Sequence, residues 1–587
     1  MTLSGPPQSD NEKRLFLALI LSTLVLLASA PLLNYFAPAT RSPEIVEQGE
    51  PPEPPSSAEV EEAPPEPQTF VPPLAEGDIV GEERSFKVTN QDMTLRFSTR
   101  GAVIESIRLP WYRHVPDVPY SLALLWRWTR PEGEPLELLP QQERGGLPRP
   151  LAIATLQPEL QALLDQAVYE VEGVHSRSLQ APVEIRFRYQ QGALRVEREV
   201  RIPVAGYELE VTTRVYSAGQ GLPVLISLGA GMGPPSEVAT SSDFASPNIA
   251  VGQGAAVERF YQDDVEGGVT LGRGDWVALD SQYFARAILG APLGTIQMMN
   301  HSWRDEAENE EITLLSARCA GMGEGPLRVF FGPKSLEVLR GVSLGLGELV
   351  DYGWLSFLVK PLLLMLKWIH SLVQNYGLAI ILLTFLINLA LVPIRYKQIV
   401  SMKKMTEVQP QLKAIQNRYK DLPRNDPKKQ DMNKEVMALY KEHGVNPLGS
   451  CLPLLLQMPF LFAFYKMLWT SIELRGESFL WIGDLAKYDP TFVTPVLMGV
   501  TMLAQQKMTP GGGDPAQRKM MMMMPVVFTA LFLKVSSGLA LYFLFSNVFG
   551  MLFQVMVQRV SPELSKEVPK ASSTPKRNAR GRKAKSR

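Results

Sequence analysis

The stretch WLSFLVKPLLLMLKWIHSLVQNYGLAIILLTFLIN, residues 354–388, decides what kind of molecule this is. Its first part, 354–370, is apolar but interrupted by Lys360, Lys367 and His370, with Trp354 and Trp368 at its flanks. Such a pattern predicts a helix lying in a membrane interface, its aromatic rings at headgroup level. The second part begins at Tyr376 and runs without a charge to Pro393, long enough to cross a ~30 Å hydrocarbon core.

Working outward, three more apolar runs of spanning length follow: Cys451–Thr470, Phe492–Lys507 and Gly538–Gln558. A fourth, Met520–Leu533, is shorter. Upstream, Leu15–Leu33 is apolar and uncharged, preceded by Lys13 and Arg14. Ala28-Ser29-Ala30 looks like a signal-peptidase site. The run exceeds a usual signal core, however, and Pro31 would follow the cut, so a retained anchor is expected. This makes six spans.

Charge asymmetry orients them. Residues 395–447 carry 12 Lys or Arg against 6 Asp or Glu. In 471–490 only Arg475 and Lys487 stand against Glu473, Glu477, Asp484 and Asp489. Arg518 and Lys519 lie in the next loop, and the tail from Arg559 holds 10 bases and 2 Glu. The positive-inside rule then places 395–447, 508–519, the tail and both termini in the cytoplasm, and 471–490 outside. Within the first of these loops, Lys397–Lys420 and Pro427–His443 read as two helices broken by LPRNDP, a helical hairpin. The bases of its first arm, Lys397, Lys403, Lys404, Lys413, Arg418 and Lys420, suit either anionic lipid or an acidic docking partner.

The N-terminal half differs. Residues 37–77 are rich in Pro and Glu and cannot bury a core; they read as a semi-rigid spacer. From 78 to 335 the residues alternate: Val183, Ile185, Phe187 and Tyr189, then Leu194 and Val196, then Tyr207, Leu209 and Val211, with turn signals at Gln191-Gly192 and Ala205-Gly206. Period-2 alternation predicts antiparallel strands, and some 250 residues of it suit one large β-sandwich outside the membrane. Its histidines, His114, His175 and His301, are scattered and form no catalytic motif. Cys319 and Cys451 fall in different compartments, which disfavours a disulfide, and neither has metal-ligand spacing. The chain carries no P-loop, HExxH or GxSxG, so neither an enzyme nor a cofactor is expected. The spans contain no clustered carboxylates, which disfavours an ion-coupled transporter.

What the spans do contain is uncharged polar groups. Thr384 and Asn388 stand i, i+4 on one face, and Asn547, Gln554 and Gln558 share another. Gln457, Gln505 and Gln506 add amides. Such groups are costly against lipid and should face inward, either bonding between helices or lining a partly hydrated groove. Met520–Met524, with Met458, Met467, Met498, Met502 and Met508 near in sequence, offer flexible apolar surface for varied partners or simply for lipid.

Four segments carry a family resemblance: VDYGWLSFLVKPLLLMLKWIHSLVQNYGLAIILLTFLIN (350–388), KEVMALYKEHGVNPLGSCLPLLLQMPFLFAFYKML (434–468), DPTFVTPVLMGVTMLAQQKMTP (489–510) and SSGLALYFLFSNVFGMLFQ (536–554). From about residue 325 to 560 the chain resembles the YidC family of bacterial insertases. The anchor, linker and β domain match its Gram-negative members. The resemblance implies an insertase core at 350–560. That core has five spans, an interfacial helix at 354–370 and a cytoplasmic hairpin at 396–445, flanked by an anchor (1–36), a periplasmic β-supersandwich (78–335) and a basic tail (561–587). It also implies an inner-membrane location and partners: nascent membrane proteins, the Sec translocon, ribosomes or targeting factors, and the bilayer itself. The groove residues expected from the polar pattern and this resemblance together are Thr384, Asn388, Arg395, Gln457, Gln505, Gln506, Tyr542 and Asn547. One departure stands out. The family carries an Arg in the second span where this chain has Asn388, and the nearest base on that helix is Arg395. Seven residues turn a helix by about 700°, so Arg395 lies on nearly the same face, ~10 Å nearer the cytoplasm. A solute transporter and a membrane-tethered carbohydrate enzyme are the weaker alternatives.

Overall fold

The computed structural model describes residues 79–560 apart from 114–133, 141–146, 156, 234–246, 255, 305–310, 322–324, 344, 420–427, 445–451 and 509–514. The expected anchor, linker and basic tail lie outside the described residues, as do His114, Cys451 and the side chains of Gln457, Gln558, Lys397, Lys403, Lys420, Arg518, Lys519 and Met520. Two compact units meet in sequence between Asp351 and Tyr352.

In the first unit, alternating residues become two packed sheets. The smaller runs in the order Pro135–Glu137, Val103–Arg113, Thr94–Ser98, Ser85–Thr89, Ser178–Gln180. The larger has 14 strands among the described residues, with Phe284–Arg304 at its centre pairing antiparallel to Gly274–Asp280, Glu311–Gly321 and Leu327–Pro333. Val183–Gln191 and Leu194–Ile202 pair in the register Val183↔Ile202 through Gln191↔Leu194. Gly192 closes that hairpin at φ +56°, a left-handed turn glycine adopts without strain. One face carries Ile185, Phe187, Val196 and Val200, all buried. Phe187 meets Phe86 and Phe97 of the smaller sheet, ring centres 6.3 and 6.2 Å away. The other face carries charges paired across strands, such as Arg201 with Glu184 and Arg188 with Glu172; these pairs are exposed and contribute little each.

Some charges lie inside, Arg198 and Arg286 among them. Arg198 is buried between the sheets, donating from Nη1 to the Ala102 carbonyl at 2.7 Å and from Nε to Thr213 Oγ1 at 3.0 Å. Burial pushes its guanidinium down to about 10, still a cation at neutral pH. Cys319 is likewise buried and pushed up to about 12, an inert thiol. His301 bonds Ser316 Oγ at 2.7 Å. Among the described residues no cluster of His, Cys, Asp or Glu could hold a metal ion. A groove of about 820 Å³ runs between the strands at 183–210 and the helix Leu336–Val342.

The second unit is helical: α1 (Ser356–Val373), α2 (Tyr376–Ala390), α3 (Val392–Arg418), α4 (Lys428–Glu442), α5 (Leu452–Thr470), α6 (Val493–Met508), α7 (Pro515–Phe532) and α8 (Ser537–Val560). Asn375 starts α2 by accepting from the Leu378 amide at 3.0 Å. Two boundaries differ from expectation for one reason. The first hairpin helix starts at Val392 instead of Lys397, and α7 starts at Pro515 instead of Met520. Pro393 sits in the first turn of α3 and Pro515 is the first residue of α7. There proline's missing amide costs nothing, so each begins a helix where it was read as an end or a loop.

Packing makes α8 the axis. It contacts α2 and α6, while α7 lies on α6 and α1 on α2. α3 and α4 form the expected hairpin, closed by Val408, Ile415 and Leu439 with Met405, Leu412, Tyr419 and Val436 around them. Two of the described helical segments, Gly353–Val373 and Ser537–Val557, are long and apolar enough to cross a membrane, and Tyr376–Ala390 and Met521–Phe532 are shorter apolar helices. α1 exposes a stripe of Phe357, Leu364, Trp368 and Leu372, with Trp354 exposed just before it, and buries Val359, Leu362, Leu366 and Ile369.

Candidate functional site

Several described polar side chains of the helical unit gather where α2, α3 and α6 face α8. Thr384 is fully buried and Asn388 nearly so. Each bonds back along its own helix: Thr384 Oγ1 donates to the Ile380 carbonyl and Asn388 Nδ2 to the Thr384 carbonyl, both at 2.7 Å. This satisfies the hydroxyl locally, but Asn388 Oδ1 is buried with no hydrogen-bond donor. The i, i+4 reading of these two residues therefore gives a polar stripe packed inside the bundle.

Across from it, α8 presents Asn547, Gly550 and Gln554 at spacings of three and four. Asn547 Nδ2 reaches Thr501 Oγ1 of α6 at 3.4 Å, and Gln554 Nε2 donates to the Met508 carbonyl at 2.7 Å. Gln506 Nε2 donates to the Met521 carbonyl of α7 at 2.6 Å, leaving its buried Oε1 without a donor. These amides tie the helices together, as inter-helix hydrogen bonds do in lipid. Tyr542 is buried, its ring stacked on Phe464 of α5 with centres 4.1 Å apart.

Gly550 is the residue that sequence reasoning missed. A carbon added to its Cα would stand 2.6 Å from Gln505 Nε2 and 2.8 Å from Arg395 Nη1. The Arg395 head therefore turns inward onto α8 instead of outward, and it is close enough to Tyr542 to interact electrostatically. No described carboxylate forms an ion pair with it. Ser546 and Gly550 do stand four apart, the spacing at which small residues let helices approach, but that spacing alone does not single out the glycine. Close approach recurs at Gly499, where an added carbon would lie 2.0 Å from Thr529 Oγ1.

The loop from α5 to α6 shuts the other end of the bundle. Asp489 is buried. Its carboxylate accepts from the Thr494 amide at 2.8 Å, the Thr491 amide at 2.9 Å, the Thr491 hydroxyl at 2.6 Å and Trp481 Nε1 at 3.1 Å. Burial alone would raise its pKa, but the bonds from Thr491 and Thr494 outweigh that and hold it below the usual carboxylate value. Lys487 lends its carbonyl to both the amide and the hydroxyl of Ser537, at 2.7 and 2.8 Å, fixing the start of α8. Methionines divide: Met467 and Met498 are in the core, while Met521, Met522 and Met523 face outward, each 45% exposed.

Residues 85–365 match the family described as YidC periplasmic domain, and residues 368–564 the family described as 60Kd inner membrane protein. "Membrane protein insertase YidC" of Geotalea uraniireducens (strain Rf4) is 42% identical over 293 residues, 49% of this chain and 54% of that protein. Its namesake in Syntrophus aciditrophicus (strain SB) is 33% identical over 478 residues, covering 79% of this chain and 82% of the relative. The solved structure described as "Active YidC insertase crystal structure with the first transmembrane domain resolved" is 19% identical, covers 83% of this chain and 95% of that one, and gives a TM-score of 0.35. The chain thus spans about half the length of the first of these relatives and most of the second, and it belongs to the YidC family of inner membrane proteins.

Proposed function

We propose that the chain inserts and folds other membrane proteins, with no covalent chemistry of its own. One observation carries this reading. Inside a bundle with an apolar exterior, Thr384, Asn388, Arg395, Gln505 and Asn547 are gathered between α2, α3, α6 and α8, with Arg395 ion-paired to no described carboxylate and the Asn388 amide oxygen lacking a donor. A client's polar segment passing through the bilayer needs partners of this kind, since without them each buried polar group costs several kcal/mol. Loosening of α2 against α8 would open this stripe to the cytoplasm, accept the polar segment, and let the client's apolar helix leave into lipid. Gln457, on α5, and Tyr542 complete the contact set.

The full topology belongs to the same reading: six spans counting the N-terminal anchor, both termini cytoplasmic, and a periplasmic supersandwich. The partners are nascent chains, the bilayer, the Sec translocon, and ribosomes or targeting factors docking on the α3–α4 hairpin and the basic tail. The tail's attraction is Coulombic, so ribosome binding should weaken as salt rises and when 561–587 are removed. The deciding experiment is photo-crosslinking of nascent membrane proteins to probes at Thr384, Asn388 and Tyr542. Crosslinks at these three positions, and none at the outward-facing Val500, support the groove; labelling of Val500 alone would reject it.

A further inference from the structure

We propose that Leu480, at the tip of the loop between α5 and α6, inserts into the outer surface of the bilayer as a lipid anchor. Phe479 and Ile482 form an antiparallel bridge with two hydrogen bonds, of 3.0 and 2.8 Å, leaving Leu480-Trp481 as a two-residue turn. Leu480 takes φ +52°, a left-handed conformation in which its Cβ crowds the backbone; glycine or asparagine would adopt it more easily. Yet the side chain serves no core, being 68% exposed. Its neighbour holds the turn in place: Trp481 Nε1 donates to Asp489 Oδ2 and Thr494 Oγ1, each at 3.1 Å. A strained backbone thus holds an apolar side chain outward on a rigid mount.

The depth of that mount identifies the occupant. Phe479 packs on Gly377, where an added carbon would lie 2.2 Å from its ring. Gly377 is in the first turn of α2, and the uncharged run from Tyr376 to Pro393 must fill the hydrocarbon core. The exposed stripe of α2, Leu378, Leu382, Phe385 and Leu389, starts one residue later. Leu480 therefore continues a lipid-facing surface at the level where acyl chains meet headgroups, and there an apolar side chain gains by leaving water.

The inference rests on α2 crossing the bilayer, and the experiment separates the two. The full chain, with Cys319→Ala and Cys451→Ala, is placed in phospholipid nanodiscs and spin-labelled at Leu480→Cys, Leu382→Cys or Ser478→Cys. Collisions with oxygen and with an aqueous nickel chelate are then compared. The expected result is oxygen-dominated relaxation at 382 and 480 and nickel-dominated relaxation at 478. A lipid signal at 382 with a water signal at 480 overturns the anchor alone; a water signal at 382 overturns the reading of α2. A label at 480 shielded from both reagents means that protein covers it, which also overturns the proposal. Leu480→Gly should raise the melting temperature in detergent by about 2–4 °C, because it relieves the left-handed strain. No rise would overturn the claim that leucine is kept there against its backbone preference.

Discussion

Arg395 lies against Gly550, so close that a methyl group on the glycine would stand 2.8 Å from Nη1. The contact joins the start of the hairpin helix α3 to the axis of the bundle, and Gln505 of α6 closes on the same spot. Both neighbours are far ends of flexible side chains and can shift by a few tenths of an ångström. Gly550→Ala should therefore cost less than ~1 kcal/mol, whereas Gly550→Leu overpacks three helices and should cost about 1–3 kcal/mol. Thermal melting in detergent measures both. Equal tolerance of the two variants would show that α3, α6 and α8 do not meet closely there.

At Gly499 the obstacle is not flexible. Thr529 Oγ1 would stand 2.0 Å from an added carbon, and the hydroxyl is already committed to the Pro525 carbonyl at 2.7 Å. Gly499→Ala should destabilise by about 1–3 kcal/mol, pushing α6 from α7. Thr529→Ala removes the oxygen in the way, so the double variant should recover much of the loss in a double-mutant cycle. Additive losses would mean that the two residues do not compete for space.

Asp489 gives the molecule a pH dependence with a definite sign. Its carboxyl titrates below its ordinary value of 3.8 in the folded chain, so the stability it supplies is complete above that value. The contribution is lost as pH falls through the lower, folded value. Melting temperature should therefore drop more steeply below about pH 4 in the native chain than in Asp489→Asn. At neutral pH the variant should be less stable by roughly 1–3 kcal/mol, because its amide group faces donors. Parallel pH profiles would remove the carboxylate from the account.

Much of this was legible beforehand, and the exceptions have causes. Alternation exposed Ile185, Phe187 and Val196 as one sheet face because strand periodicity depends only on local geometry. Thr384 and Asn388, or Asn547 and Gln554, could be assigned to shared helix faces for the same reason. Gly550 could not be singled out, since its role depends on Arg395, 155 positions away, turning towards it. Nor could the Asp489 network, whose donors Trp481 and Thr494 come together only once the loop is folded. Pro393 and Pro515 misled because proline ends one helix and begins another with equal ease, and only the backbone on either side decides which.

The β unit and the α3–α4 hairpin should differ in importance. The β unit shows no clustered chemistry among its described residues, so deleting most of 78–320 while retaining the anchor should preserve insertion in a depletion strain. The α3–α4 hairpin has its own small core at Val408, Ile415 and Leu439, and α2 leads directly into α3. Removing 400–440 should abolish insertion. Loss of insertion in the first variant, with protein present in the membrane, or normal insertion in the second, would reverse this assignment.

The remaining question is which group meets an acidic client. Asn388 offers a donor and an acceptor but no charge, and its donor is already engaged with the Thr384 carbonyl. Arg395 does not continue the helix of Asn388 as the sequence spacing suggests: the break at Leu391 puts it in the first turn of α3, its head directed onto Gly550 and unpaired with any described carboxylate. If it supplies the positive potential at the groove's cytoplasmic mouth, Arg395→Gln should reduce insertion of a client with an acidic translocated tail. The matched neutral client should be spared. The effect would be about tenfold for a charge-assisted contact worth ~1.4 kcal/mol. Asn388→Arg should then restore the acidic client, by placing a cation on the buried face of α2, which packs against the same helix α8. An ordinary positive-inside anchor predicts something else. Either both clients insert equally well in the Gln variant, or both fall together as misoriented protein accumulates. Insertion assays on the two clients, with protease mapping of orientation alongside, separate these outcomes in one experiment.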